Sequence, residues 1–162
     1  MKITKELLQE KEACKESYKW VVKNKLIGLE HEEFINELMK NNRFSDANWL
    51  LTKLFNETQC VKYAIFAAEQ VIDIFEKKYP DDKRPRKAIE AAKDYLKSPN
   101  DVTYAAVAAY NAAYYANAAY AADAAYAAYA ADAAYNAAAY AADVEAVETP
   151  IINYGLELLN DK

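Results

Sequence analysis

Three features of the sequence predict an all-α fold. The 162 residues hold only two glycines, Gly28 and Gly155, and four prolines, far fewer turn formers than a β-rich chain of this length needs. Hydrophobic residues make up 54% and charged residues 28%, the balance of a chain with a core. From residue 101 to residue 149 neither glycine nor proline interrupts a tract dominated by alanine, the strongest helix former. The expected architecture is a compact multi-helix bundle. Its long Ala/Tyr-rich C-terminal helix, bent, broken or whole, packs against or between the others. The length fits one all-α domain over 1–162. Within it we expect N-terminal helices over 1–56, a central helix pair over 57–97, an Ala/Tyr-rich segment over 100–149 and a short closing helix over 150–162.

The elements follow in order. Residues 4–24 read as one helix capped by Thr4. Gly28 marks a break. Residues 30–41 form a short amphipathic helix with Phe34, Ile35, Leu38 and Met39 on one face. Ser45 is positioned to cap the next helix, which carries Ala47, Trp49, Leu50, Leu51, Leu54 and Phe55. Residues 57–79 are apolar on two faces, the mark of a central helix, and stop before Pro80. Asp81 or Asp82 then caps a helix with Pro85 in its first turn and a buried stripe of Ala88, Ile89, Ala92, Tyr95 and Leu96. The run Ser98-Pro99-Asn100-Asp101 is a further stop and cap. Pro150 ends the long tract.

Between residues 118 and 135 the tract repeats Ala-Ala-X, with X at Tyr120, Asp123, Tyr126, Tyr129, Asp132 and Tyr135. Three residues advance a helix by about 300°, so successive X positions march around the axis and large residues emerge on every side. Such a helix is built to be surrounded, with aspartates and asparagines accepting from tyrosine hydroxyls. As one rod, 48 residues would run about 70 Å, which calls for a bend near Asn111 or Asn117 or for pairing with another chain. Its aspartates and the low transfer energy of alanine argue against a membrane span.

Charge is unevenly spread. Residues 1–97 carry 19 Lys/Arg against 17 Asp/Glu, while residues 98–162 carry one Lys against eight Asp/Glu. The acidic half argues against nucleic acid and suits a basic protein partner. Cys14 and Cys60 form no metal motif, and both read as buried thiols in a reduced, cytoplasmic setting. His31 is the only histidine and reads as a surface residue. With two glycines there is no phosphate-binding loop, no dinucleotide fingerprint and no nucleophile elbow, and no catalytic residue, metal or cofactor is expected. Asp132 and Asp143 share a helix face but stand about 16 Å apart, too far to work as a carboxylate pair.

Candidate binding residues are therefore few. Asp81, Asp82, Arg84 and Arg86 crowd one turn, which reads as a capped helix start or as an arginine pair for a phosphate or carboxylate. Tyr115, Tyr126, Asp132 and Asp143 are the tract's candidates for holding a polar or cationic ligand.

The run VKYAIFAAEQVIDIFEKKYPDDKRPRKAIEAAKDYL, with Tyr79-Pro80-Asp81-Asp82, Arg84-Pro85-Arg86 and Ala88-Ile89-Glu90-Ala91, followed by the alanine tract, resembles all-α bacterial and phage proteins labelled "putative immunity protein". Ala47-Asn48-Trp49-Leu50-Leu51 is similar to phage-encoded members, and the likeness covers about residues 44–143. The resemblance implies a non-enzymatic inhibitor of a toxin or defence component, with a counter-defence role for phage members. Two other readings stand beside it: a sponge for a small anionic, nucleotide-like ligand held by Arg84, Arg86 and tyrosines, and a homo-oligomer assembled along the Ala/Tyr helix.

Overall fold

A computed structural model describes residues 1–78, 80–81, 83–97 and 144–161. The described residues form α1 (Lys5–Glu10), α2 (Lys15–Lys23), α3 (His31–Lys40), α4 (Phe44–Leu54), α5 (Glu57–Glu69), α6 (Ile72–Lys78), α7 (Arg84–Lys97) and α8 (Val144–Asn160). The fold is all-α, and an isolated antiparallel bridge between Lys2 and Glu30 is the only extended pairing among the described residues. The Ala/Tyr repeat, and every expectation placed on residues 98–143, lies outside the described residues.

The stretch expected as one helix over 4–24 is two. Thr4 does cap α1, accepting from the Leu7 N–H at 3.2 Å. The helix then closes at Glu12, whose φ of 61° places it in the left-handed region. Its N–H reaches the Gln9 carbonyl at 3.0 Å, and the Ala13 N–H reaches Leu8 at 2.8 Å. This is the double closure usually given to glycine. The reason lies in the core: Leu8 and Val21 are both buried, yet thirteen residues along one continuous helix would point them about 140° apart. Breaking the helix lets both face inward. The same closure recurs at Lys25 (φ 60°) after α2 and at Asn42 (φ 54°) after α3, so a chain poor in glycine still turns three times.

Helix α3 matches its expected span to within a residue at each end. Ser45 does not cap α4. The helix starts two residues earlier, with Arg43 at the cap position and no side chain bonded there, because the closure at Asn42 hands the chain on within two residues. Phe44 is anchored in the core at this start. Asn56 opens α5 with a reciprocal capping box to Gln59, both bonds 2.9 Å.

The central segment over 57–79 also divides, into α5 and α6, with Val71 N–H closing on the Ala68 carbonyl. Apolar residues continue through the break, so periodicity alone hides it. The two-faced character of α5 holds. Tyr63, Ala64 and Ala67 belong to a large apolar cluster with residues of α1 to α4 and α8, while Val61, Ile65 and Ala68 join Ile72, Ile89, Ala92 and Tyr95 in a smaller one against α7. Helix α7 begins at Arg84, with Pro85 in its first turn as expected and Lys83, not an aspartate, directly before it.

Pro150 does not end the helix before it. It sits inside α8, which continues to Asn160. Proline costs the helix a hydrogen bond. The continuation buries Ile151, Ile152, Leu156 and Leu158 in the large cluster, which offsets that loss. Gly155 leaves no room for a side chain: a Cβ there would lie 2.7 Å from Leu51 Cδ1 and 2.8 Å from Tyr63 Cε2. Tyr63 is fully buried and its hydroxyl donates to Asn48 Oδ1 at 3.0 Å, so the ring against Gly155 is pinned.

Candidate functional site

Two polar clusters occupy the described surface, each centred on an arginine. The first joins α6 to α7 across the turn at Pro80-Asp81. The Arg86 guanidinium donates to Glu76 through Nε and Nη2, both at 2.8 Å, and its Nη2 lies 3.4 Å from Asp73 Oδ1. This is the bidentate fork that arginine makes with carboxylates. Lys83 Nζ stands 3.8 Å from the same glutamate. The Arg86 hydrogen bonds hold the Glu76 carboxyl below the usual carboxylate range, and Glu76 in turn raises the guanidinium further above its ordinary value. Nearby, Lys93 pairs with Glu69, and the Tyr95 hydroxyl donates to Glu57 at 2.7 Å, which raises the tyrosine's pKa.

Of the residues singled out in the sequence, Arg86 is therefore clasped to Glu76, and an incoming anion would have to displace that carboxylate. Asp81 is exposed in the turn. Arg84 opens α7, and its side chain lies outside the described part, as do Asp82, Tyr115, Tyr126, Asp132 and Asp143.

The second cluster was not legible beforehand. Ser17 on α2 donates to Asp46 Oδ1 at 2.7 Å, and Arg43 Nη2 donates to the Ser17 hydroxyl at 3.1 Å. Arg43 also pairs with Asp46, and its guanidinium lies 4.5 Å from the centre of the Trp20 ring. Its Nε is buried with no hydrogen-bond partner among the described residues. A recess of about 280 Å³ opens beside it, lined by Asn42, Arg43, Phe44, Ser45, Asp46 and Glu148. Ser17 and Asp46 are 29 positions apart, and only the packing of α2 on the start of α4 joins them.

Neither cysteine is fully buried. Cys14 is exposed, because it caps α2: its sulfur accepts from the Ser17 N–H at 3.4 Å. Hydrogen bonding to Ser17 sets its thiol below the ordinary range, whereas burial pushes Cys60 up. His31 is half-buried, with Nδ1 3.1 Å from the Met1 amine and Nε2 3.2 Å from Asn160 Oδ1. It ties the start of the chain to the end of α8. Among the described residues no group of three His, Cys, Asp or Glu side chains is arranged to hold a metal, and no helix is long and apolar enough to cross a membrane.

Comparison with family models adds what geometry alone does not. The model described as "Imm-5 like putative immunity protein" matches residues 50–160. The chain belongs to this family. The match takes in the Arg86 cluster, α5 and all of α8, and extends further toward the C-terminus than the resemblance first drawn from residues 44–143. A second model, described as "YdhT N-terminal domain", matches residues 1–58, which hold the Arg43 cluster. The two matches overlap at the end of α4 and the start of α5, and the large apolar cluster contains residues of both. No curated protein and no solved structure gives a significant match.

Proposed function

We propose that this chain is a non-enzymatic cytoplasmic immunity protein that neutralises a toxin by surface complementarity. The observation that carries this reading is membership of the Imm-5-like immunity family over residues 50–160. The chemistry of the described surface agrees with it. In both arginine clusters the charges are pinned to one another, so they offer a fixed pattern of charge rather than groups free to exchange protons. Fixed charge patterns give protein interfaces their specificity and speed of encounter. The acidic balance of residues 98–162 favours a basic toxin surface. We further propose that the segments matched by the two family models act as one unit, since α8 packs against both α4 and α5.

Co-expression tests the reading. Toxin domains encoded beside members of this family are expressed in a sensitive bacterium with and without the chain. Growth rescue by at least one toxin, with co-elution of the two proteins in gel filtration, is the expected result. Failure to rescue growth from any of them, with no complex formed, would sink it.

A further inference from the structure

We propose that α2 carries a docking surface for an acidic protein segment, separate from the immunity-family region and independent of toxin neutralisation. Lys15, Lys19 and Lys23 follow one another at four-residue spacing on α2, and Lys25 continues the row just past its end. All four are exposed. Steps of four residues set the three helical lysines about 6 Å apart along the axis and within about 80° of each other around it. Exposed lysines are ordinary; what sets this row apart is its regular spacing along one helix face. Lys11, Lys40, Lys83, Lys93 and Lys97 each stand within salt-bridge distance of an acid. The four lysines of the row have no such partner among the described residues, a property they share with Lys2, Lys5, Lys53, Lys62, Lys77 and Lys87, but only in the row do such lysines follow one another along a helix face.

The helix bears a cost for this arrangement. Like charges at i and i+4 destabilise a helix, and the row contains two such pairs, Lys15–Lys19 and Lys19–Lys23. Lys15 is also the first residue of α2, where the helix dipole disfavours a cation. Lys23, in the last turn, is placed well for α2 itself, and Lys19 lies three positions after Glu16, which offsets part of the repulsion. Helix stability therefore does not account for the row, whereas an anionic partner would relieve all of these repulsions together.

Two neighbours point to protein rather than nucleic acid. Val22, 41% exposed, is one of two exposed large hydrophobics among the described residues, and it falls beside Lys15 and Lys19 on the helix wheel. On the opposite edge of the row Glu16 is exposed, where it would repel a phosphate backbone but could accept from a partner lysine or arginine. Helix α2 has no arginine, the residue that phosphate recognition prefers. An apolar contact flanked by charges of both signs fits an acidic amphipathic helix. Such a helix would carry glutamates at four-residue spacing and one apolar side chain for Val22.

The probe is a 16-residue helical peptide of that design, titrated against the full chain by fluorescence anisotropy at about 50 mM salt, where exposed charges are weakly screened. Lys19→Glu weakens binding about tenfold in this reading, as loss of complementary charge at an interface does. The same change replaces two like-charge pairs by attractive ones and creates one, with Glu16, so on balance it raises the melting temperature by about 1 °C rather than lowering it. Lost binding with gained stability separates a docking role from a structural one. A control variant, K53E/K62E/K87E, changes three other exposed lysines and stays within about twofold of the parent, because rim charges distant from a site act only through net charge. The proposal is overturned if the control loses as much affinity as Lys19→Glu, or if the peptide does not bind. It is also overturned if a DNA duplex of equal charge binds more tightly. A dimer seen by light scattering that Lys19→Glu dissolves would assign the row to a second copy instead.

Discussion

Arg43 and Arg86 are the same side chain put to use in two different ways. Arg86 is held by acids ten and thirteen positions before it, across a single helical hairpin, beside the small apolar cluster of α5, α6 and α7. Its side chain is 44% exposed. Arg43 reaches Ser17, 26 positions away, and Trp20 on the same helix, beside the large cluster; its side chain is 26% exposed. The hairpin arginine satisfies its fork with one carboxylate. The long-range arginine spends its contacts on three neighbours and leaves Nε buried without a partner among the described residues. A pairing within a hairpin can be optimised by its own few residues, whereas a pairing between distant helices takes whatever geometry their packing allows.

The comparison breaks first at the packing that supports the large cluster. Gly155→Ala places a methyl within 3 Å of Leu51 and of the pinned Tyr63 ring. Overpacking here outweighs the gain in helix propensity, and the variant is less stable by about 1–2 kcal/mol in urea unfolding. An unchanged midpoint would mean that α8 can move away from α4 and α5 freely, and that the larger cluster is no more tightly packed than the smaller.

Next comes Arg43→Ala. It leaves Asp46, which is 25% exposed, with the Ser17 hydroxyl but no cation, and removes the cation from Trp20, for a loss of about 1–2 kcal/mol. Arg86→Ala costs less, because Arg86 itself is 44% exposed and Lys83 remains 3.8 Å from Glu76. Arg43→Lys sharpens the contrast: it keeps the charge, discards the orphaned Nε and recovers part of the loss. Equal midpoints for Arg43→Ala and Arg86→Ala would erase the distinction between the two sites.

The smallest expected effect is on the acid side of the stability profile. Arg86 depresses the Glu76 pKa, so the folded state binds that proton less readily than the unfolded chain. Its contribution is complete above the ordinary glutamate range and fades as pH falls through the depressed folded value. Glu76→Gln removes this part of the acid sensitivity and leaves the Arg43 cluster untouched. Identical acid-unfolding curves for parent and variant would show that the clasp adds nothing to stability.

The helical class, the N-terminus of α1 at Thr4, the span of α3 and the two-sided burial of α5 were all readable from spacing and composition, because propensity, caps and apolar periodicity are local. The charged turn around Arg86 was visible too, but its partners Asp73 and Glu76 on the neighbouring helix were not singled out. The breaks at Glu12 and after Glu69 were not readable. Nothing in EKEACKE advertises a left-handed residue, and the apolar pattern crosses the second break without pause. The proline inside α8 misled for a related reason: its local cost is real, but the burial of Ile151 and Ile152 is larger and is invisible in one dimension.

What the sequence by itself determined is a helical chain of the immunity family, with an acidic C-terminal half, an N-terminal half of near-balanced charge and a row of lysines at four-residue spacing. What only the tertiary structure decided is which polar groups meet. Ser17 finds Asp46 and Arg43, His31 finds Asn160, and Gly155 admits Tyr63, while Lys15, Lys19 and Lys23 find no acid among the described residues. Helix formation depends on neighbours three and four positions away. Those meetings depend on how the helices bury their apolar faces, which sets the distances between side chains that the chain itself keeps far apart.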